Sequence, residues 1–458
     1  MGDSLDGGVI AGCPLELQPP PPPPEPPPPA VTIRASIFFD GTLNNRTNTS
    51  QRIQNTWNYR LTPSLVGGSY ENDYSNVANL EAEIQTQPNT ETYKAFSLYI
   101  EGIGTLNGGK DDLFPGAAYG TGATGVKAKV NRSINEIIDR IGDLGINTDS
   151  PLTIILDSFG FSRGAAAARY FIYQVLTHES EILGRADGLT LQQRLRNIDY
   201  HVTSVGIKFV GLFDTVASYG RHHDDDTTDL HLDAISNADR VVQLAAADEH
   251  RINFPLTNID SASNKIQIFL PGVHSDIGGG YVNMKREEGL SIYKLDWLSN
   301  IPTVRARYAT ILRNQRDFLI EKGWYLDSDF IQEWNELKVN RVVSNTYSKI
   351  PLKLMADYAR QYGLIFSGVV DNLVDMATIK TEHIDQYISQ YGSASYMSHW
   401  TMQATPRWLK NLRYSHFHYS ANYDDIGMAP QFWSSTEGWE DSIDNRIAGE
   451  RKRKIYDG

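Results

Sequence analysis

A chain of 458 residues that is 40% hydrophobic and 21% charged holds enough apolar material for a large core, and its length suits two to three domains. Its formal charge of −13 repels a phosphate backbone, which argues against nucleic-acid binding. The same charge opposes adhesion to an anionic membrane, so any contact with lipid must rest on apolar surface. The single cysteine, Cys13, permits neither an intramolecular disulfide nor a cysteine metal cluster, and it suits folding in a reducing cytosol. The opening MGDSLDGGVIAGCP lacks the basic and apolar regions of a secretory signal. No apolar run reaches the roughly 18 residues that a membrane span needs. If the protein leaves its cell, a route other than signal-peptide export is expected.

Pro19 to Pro29 is proline at every position except Glu25, the composition of a polyproline II rod. Such a rod acts as a spacer or docks on an aromatic groove, and residues 1–31 are read as a flexible tail. Thr32–Phe39 (TIRASIFF) and Tyr93–Ile100 (YKAFSLYI) read as strands. A glycine-rich stretch, Gly102–Gly125, leads into Val126–Asp143, whose apolar spacing is helical. Pro151–Leu156 (PLTIIL) reads as a buried strand and Arg163–Leu176 as a helix. Gly206–Phe213 (GIKFVGLF) and Ile266–Val273 read as further strands. The stretch 44–92 has no clear assignment. Strands alternating with helices predict an α/β fold, a mainly parallel sheet flanked by helices on both faces.

Past about Leu290 the pattern changes. Helices are predicted at Thr303–Lys322, Phe330–Glu336 and Lys353–Tyr362, with amphipathic spacing across Val369–Tyr391. Seven of the eight tryptophans lie here: Trp297, Trp324, Trp334, Trp400, Trp408, Trp433 and Trp439. Most are expected in the core, and some in a lid or lipid-facing surface. The chain is therefore divided into a tail at 1–31, a catalytic domain at 32–290 and a mainly helical accessory region at 291–458.

The strongest chemical signal is Gly160-Phe161-Ser162-Arg163-Gly164, a G-x-S-x-G pattern between an apolar strand and an alanine-rich helix. A serine at the tip of a sharp strand-to-helix turn projects its hydroxyl outward. The residues two before and two after must be tiny, and Gly160 and Gly164 meet that demand. The helix N-terminus behind the serine stabilises developing negative charge, and the backbone N–H of Arg163 is one expected oxyanion donor.

A nucleophilic serine needs a base and a group that orients the base, in the chain order Ser, Asp or Glu, His. Asp214 follows VGLF at the carboxyl end of a predicted strand, and His274 follows another in LPGVHSDIGGGY. Both stand where α/β sheets place reacting groups. The competing readings are a helix N-cap for Asp214 and a structural histidine for His274. His250, His416 and His418 are rival bases, and Asp276 is a rival orienter.

Five blocks taken together resemble one family: FFDGTLNN at 38–45, GFSRGAAAAR at 160–169, GLFDTVAS at 211–218, DEHR at 248–251 and GVHSDIGGGY at 272–281. They are similar to the α/β-hydrolase domain of bacterial type VI secretion phospholipase effectors, whose elbow reads GFSRG. The resemblance implies a Ser-Asp-His triad, which maps onto Ser162, Asp214 and His274. It further implies phospholipid hydrolysis, antibacterial toxicity, carriage on a secretion spike into the periplasm or membrane of a target cell, and a cognate immunity protein. It covers residues 38 to 281 and fades beyond about 290, where members often carry a membrane-contacting module. The alternatives are an esterase or thioesterase on soluble substrates with the same triad, and a silent binding module built on the proline tail and the helical region.

Three further patterns yield no function. Phe39-Asp40-Gly41-Thr42-Leu43 is similar to a haloacid-dehalogenase start, but Phe38 stands where the nucleophilic aspartate belongs. Asp40 and Gly41 are instead expected to shape the loop that supplies the second oxyanion donor, assigned to Gly41. Gly120–Gly125 matches G-x-G-x-x-G without the strand that a dinucleotide site requires in front of it. The group His222, His223, Asp224, Asp225, Asp226, Asp229 and His231 reads as a solvated loop. A Ca²⁺ or other divalent ion is what such a cluster would attract, but triad chemistry requires no metal and no cofactor.

Overall fold

The computed structural model describes residues 26–61, 68–177, 188–220, 227–295, 302–373, 381–392, 400, 402, 404–425, 427–436 and 438–458. Cys13, Pro19–Pro24, Glu25, His222–Asp226 and Trp297 lie outside them. The central sheet is built from β1 (Val31–Phe39), β2 (Tyr93–Ile100), β3 (Leu152–Phe161), β4 (Val202–Phe213), β5 (Val241–Ala246) and β7 (Lys265–Leu270), in the order β2-β1-β3-β4-β5-β7. Every pairing in it is parallel. The strand order reverses between β1 and β3, whose register sets Phe39 against Gly160. In open α/β sheets the carboxyl edge at such a reversal is where ligands bind. This is the α/β-hydrolase-type architecture expected from the sequence.

Helix α1 (Arg46–Ile53), α2 (Trp57–Leu61) and α3 (Asn76–Glu83) fill the stretch that had no assignment. Along β1, Ile33, Ala35, Ile37 and Phe39 face a core shared with α4 (Val126–Asp143), α5 (Arg163–Leu176) and α6 (Leu191–Arg196). On the opposite face Phe38 stacks on Phe159 of β3 with ring centroids 4.6 Å apart, as the two-residue strand period requires. Strand β3 runs five residues past its expected end at Leu156 because Asp157 is taken up by a neighbour. Arg34 Nε donates to it at 2.7 Å and Ser36 Oγ at 3.0 Å.

The material after 290 covers the second face of the sheet. The short β6 (Leu256–Thr257) and α7 (His274–Gly278) precede β8 (Lys285–Lys294), α8 (Pro302–Glu321), β9 (Phe330–Gln332), β10 (Glu336–Val343) and α9 (Lys349–Arg360). Met355, Ala356 and Ala359 of α9 join Phe159 and Phe209 in one core, and Gly211 of β4 leaves room for Met355 Sδ, 2.9 Å from where a Cβ would stand. The boundary expected at 290 falls inside β8, which pairs antiparallel with β10. The helix expected at Phe330–Glu336 is instead a hairpin of β9 and β10. Leu337, Val339, Arg341 and Val343 are buried at every second position of β10, and this alternation outweighs the helical spacing of the preceding residues. Val369–Tyr391 is not one helix. α-Helix is described at Val369–Asn372 and Thr381–Tyr387, the latter followed by a π-helical turn at Ile388–Gly392, and 374–380 lie outside the description. Trp324 and Trp400 are buried and stack at 5.2 Å, so these two belong to the core, while Trp334 is 40% exposed.

A chain ended near residue 290 would lose α9 and half of β8, exposing the apolar face of the sheet. It is expected to be insoluble or to lack a cooperative thermal transition, and to be inactive on vesicles and on soluble esters alike. Circular dichroism against temperature checks this; a cooperative melt would show that residues up to 290 fold alone.

Candidate active site

Strand β3 ends at Phe161 and α5 begins at Arg163, leaving Ser162 alone in the turn at φ 58° and ψ −129°. A residue with a Cβ is strained in this region by about 1–3 kcal/mol, a cost accepted where the surroundings fix the geometry. They do so here. Ser162 N donates to Phe213 O at 3.0 Å, and Val216 N to Ser162 O at 3.4 Å. A Cβ on Gly160 would lie 2.3 Å from Gly164 O. One on Gly164 would lie 2.3 Å from Asp40 O and 2.4 Å from Phe39 O. Both glycines are therefore demanded by the turn, as the motif predicts.

Strand β4 delivers Asp214 and the turn after β7 delivers His274. His274 Nδ1 lies 2.5 Å from Asp214 Oδ2, which assigns the ring proton to Nδ1 and leaves Nε2 as the lone-pair nitrogen. The ring lies between Phe161, at 4.6 Å, and Phe254, at 5.0 Å. Phe161 in turn needs the glycine at 278, where a Cβ would fall 2.0 Å from its Cε2. Burial pushes the His274 imidazole down, and this outweighs the upward pull of Asp214. Burial pushes Asp214 up, but Arg453 and then His274 outweigh it and hold the carboxyl below its usual range.

Ser162 and His274 line one cavity of about 740 Å³, together with residues that include Thr42, Tyr119, Arg163, Arg251, Tyr281 and His418. Among the described residues no hydrogen bond joins the Ser162 hydroxyl to the His274 ring. Such bonds are often long in unliganded hydrolases and tighten when substrate binds.

The rival bases are engaged by other partners, although His418 lines the same cavity. His250 packs edge-on to Trp400 and Tyr419, and burial pushes it down to about 3. His418 Nδ1 faces Asp276 Oδ1 at 2.8 Å and is also pushed down to about 3 by burial, so the two rival groups pair with each other. His416 faces Ser415 Oγ at 2.6 Å.

The loop after β1, expected to supply the second oxyanion donor, is arranged differently. Gly41 N–H, assigned as second donor, is already taken by Asp40 Oδ1 at 2.7 Å, whose other oxygen accepts from Tyr99 Oη at 2.5 Å. The next residue, Thr42, lines the cavity, and its Oγ1 accepts from Arg163 Nε at 2.9 Å. Among the described residues neither Thr42 N–H nor Arg163 N–H has a hydrogen-bond acceptor. Thr42 and Arg163 are thus the available pair.

The DEHR block acts as a bracket that sequence reasoning did not decode. Asp248 Oδ2 accepts from Gly272 N at 2.7 Å and Glu249 Oε2 from His274 N at 3.2 Å, so both carboxylates hold the turn that carries His274. Gly120–Gly125 contains a single turn of 3₁₀ helix at Gly122–Thr124 and no strand leads into it. Of the histidine–aspartate loop, His231 stacks on Tyr173 at 3.8 Å, and among the described residues no group of three His, Cys, Asp or Glu is placed to hold a metal.

The likeness expected from the blocks at 38–281 is met by two comparisons. Residues 178–300 match the family model for the catalytic domain of the type VI secretion (T6SS) phospholipase effector, Tle1-like. That span holds Asp214 and His274, and Ser162 precedes it. Among solved structures, the Tle1 effector bound to the VgrG spike of the type 6 secretion system is similar over 94% of this chain and 95% of its own, with a TM-score of 0.57 at 20% identity. This second likeness is one of fold. An uncharacterized protein from Pseudomonas aeruginosa aligns over 79% of this chain and 51% of its own, with a TM-score of 0.40 at 18% identity. No curated protein matches.

Proposed function

We propose that this chain is a phospholipase that works through Ser162, His274 and Asp214 and is delivered as an antibacterial effector by a type VI machine. The observation that carries the reading is the strained serine at the β3–α5 turn, sharing a cavity wall with a histidine whose Nδ1 is held by a buried carboxylate. The match of residues 178–300 to the Tle1-like catalytic domain supports lipid as the substrate class. The Tle1 comparison suggests a VgrG-type spike as carrier, and an immunity protein would guard the producing cell.

In this mechanism Ser162 Oγ attacks the ester carbonyl while His274 Nε2 takes its proton. Backbone N–H groups of Arg163 and Thr42 receive the oxyanion. His274 then gives its proton to the departing glycerol oxygen, and the acyl group stays on Ser162. Water, deprotonated by the same nitrogen, attacks the acyl-serine, releases a fatty acid and restores the hydroxyl. Asp214 holds the imidazole and stabilises its cation.

A fluorophosphonate probe followed by peptide mass spectrometry tests the chemistry, and product analysis on vesicles of mixed bacterial phospholipid tests the substrate. A labelled Ser162 peptide with release of fatty acid and lysophospholipid is expected. Labelling with turnover of soluble short-chain esters alone would favour an esterase, and no labelling would favour a binding module. Because burial lowers the His274 pKa, the base is neutral at pH 7. The acid limb of kcat/KM should fall below the ordinary imidazole value of about 6.5. A limb at pH 7 or above would count against His274 as the base.

A further inference from the structure

Two of the four hydrogen bonds to the Asp214 carboxylate come from one side chain far along the chain. Arg453 Nη1 donates to Asp214 Oδ1 at 2.6 Å and Arg453 Nη2 to Asp214 Oδ2 at 2.9 Å, a bidentate fork. Both side chains are wholly buried. The guanidinium is itself held, since Nε donates to Phe254 O at 2.8 Å and Nη1 also to Ala246 O at 3.3 Å. The short strand Ile455–Tyr456 anchors this arrangement by pairing parallel with β6. Leu256 N donates to Lys454 O and Asn258 N to Tyr456 O, each at 2.9 Å. The backbone on either side of Arg453 therefore leaves the guanidinium little room to move.

We propose that Arg453 is a positioning residue for the Ser162 reaction, acting through Asp214; this rests on the hydrolase reading above. Two physical effects follow from the fork. First, it fixes the plane of the carboxylate, so Oδ2 stays in line with His274 Nδ1 while Ala246 N, 2.8 Å away, shares Oδ1. Second, it offsets the carboxylate charge. An unpaired buried carboxylate beside an imidazole would draw a proton onto the ring and leave a cation that cannot take the proton of Ser162. The guanidinium weakens that pull, and the resting base stays neutral. Lysine could supply the charge but not the planar two-point contact.

The groups around the pair support this charge reading. Glu249, which accepts from His274 N–H, is itself forked by Arg251, with Nη2 at 2.8 Å and Nε at 3.1 Å. Its negative charge is thus answered locally. Arg453 forks the Asp214 carboxylate directly, and its removal leaves that carboxylate with the Ala246 N–H, the His274 ring and the more distant charge of Arg251.

The test uses full-length Arg453→Gln and Arg453→Lys beside wild type and Ser162→Ala, on a soluble short-chain ester, with kcat and KM followed against pH and a thermal melt for each. Arg453→Gln is expected to lower kcat by about 10- to 100-fold, the scale seen when a group that orients a reacting side chain is lost. It should also move the acid limb up by about one pH unit, because the imidazolium is then favoured by a carboxylate without its guanidinium. Arg453→Lys should keep the limb near its wild-type position and still lose kcat with little change in KM. A lower kcat in Arg453→Gln with an unmoved limb would reduce Arg453 to a packing role and overturn the proposal. If Arg453→Gln does not fold, the lysine variant decides: wild-type kcat in it would overturn the positioning role. Failure of the hydrolase reading looks different, since Ser162→Ala would then turn over substrate like wild type.

Discussion

Replacing Ser162 with alanine is expected to reduce ester hydrolysis by about four orders of magnitude or more, leaving what an oxyanion site and substrate binding supply on their own. The fold should not suffer. The turn at φ 58° strains alanine much as it strains serine, since both carry a Cβ, and the hydrogen bonds that hold the turn come from the backbone. The melting temperature should therefore stay close to wild type, while fluorophosphonate labelling and fatty-acid release disappear together. Turnover near wild type in a purified, folded variant would remove Ser162 as nucleophile, and the proposed function with it.

Gly164→Val should fail in the opposite manner, through the fold. Its Cβ would stand 2.3 Å from Asp40 O and 2.4 Å from Phe39 O. Those are backbone atoms at the end of β1, and they cannot step aside as a flexible side chain would. Crowding of this kind costs about 3 kcal/mol or more, and a branched side chain adds to it. Much of the protein is expected to be insoluble, and any soluble fraction to melt early. That fraction should also be slow, because the displaced segment leads into Thr42, one of the two donors proposed for the oxyanion. Gly206 in β4 provides the comparison: nothing lies within 4 Å of its Cβ position, so Gly206→Ala should change solubility and melting little. A soluble, fully active Gly164→Val protein would mean that GFSRG does not build the turn described here.

How far the sequence could be read depended on the range of the forces involved. The ends of β2, α4 and α5 were legible to the residue because local apolar period and turn chemistry set them. Strand β5 (VVQLAA) was missed because a short apolar run between polar loops carries no period of its own. The hairpin at β9–β10 was misread as a helix, since Phe330, Ile331 and Trp334 also satisfy helical spacing. Only pairing with β8 selects the extended form. The boundary read at 290 follows a change of composition, but β8 runs across it and α9 from beyond it packs on the sheet's second face.

The sequence by itself marked the elbow at Ser162, which rests on local sterics, and set Asp214 and His274 among several candidates at the carboxyl ends of predicted strands. The resemblance of the five blocks, not spacing or period, singled those two out from His250, His416, His418 and Asp276. Tertiary structure alone decided that Gly41 N–H is spent on Asp40, leaving Thr42 to face the cavity. It also decided that Asp276 and His418 satisfy each other, and that Arg453, 239 residues from Asp214, closes on its carboxylate. The physical reason is common to all three. A buried polar or charged group must find a partner wherever the fold brings one, and neither spacing nor period in the chain records which partner that is.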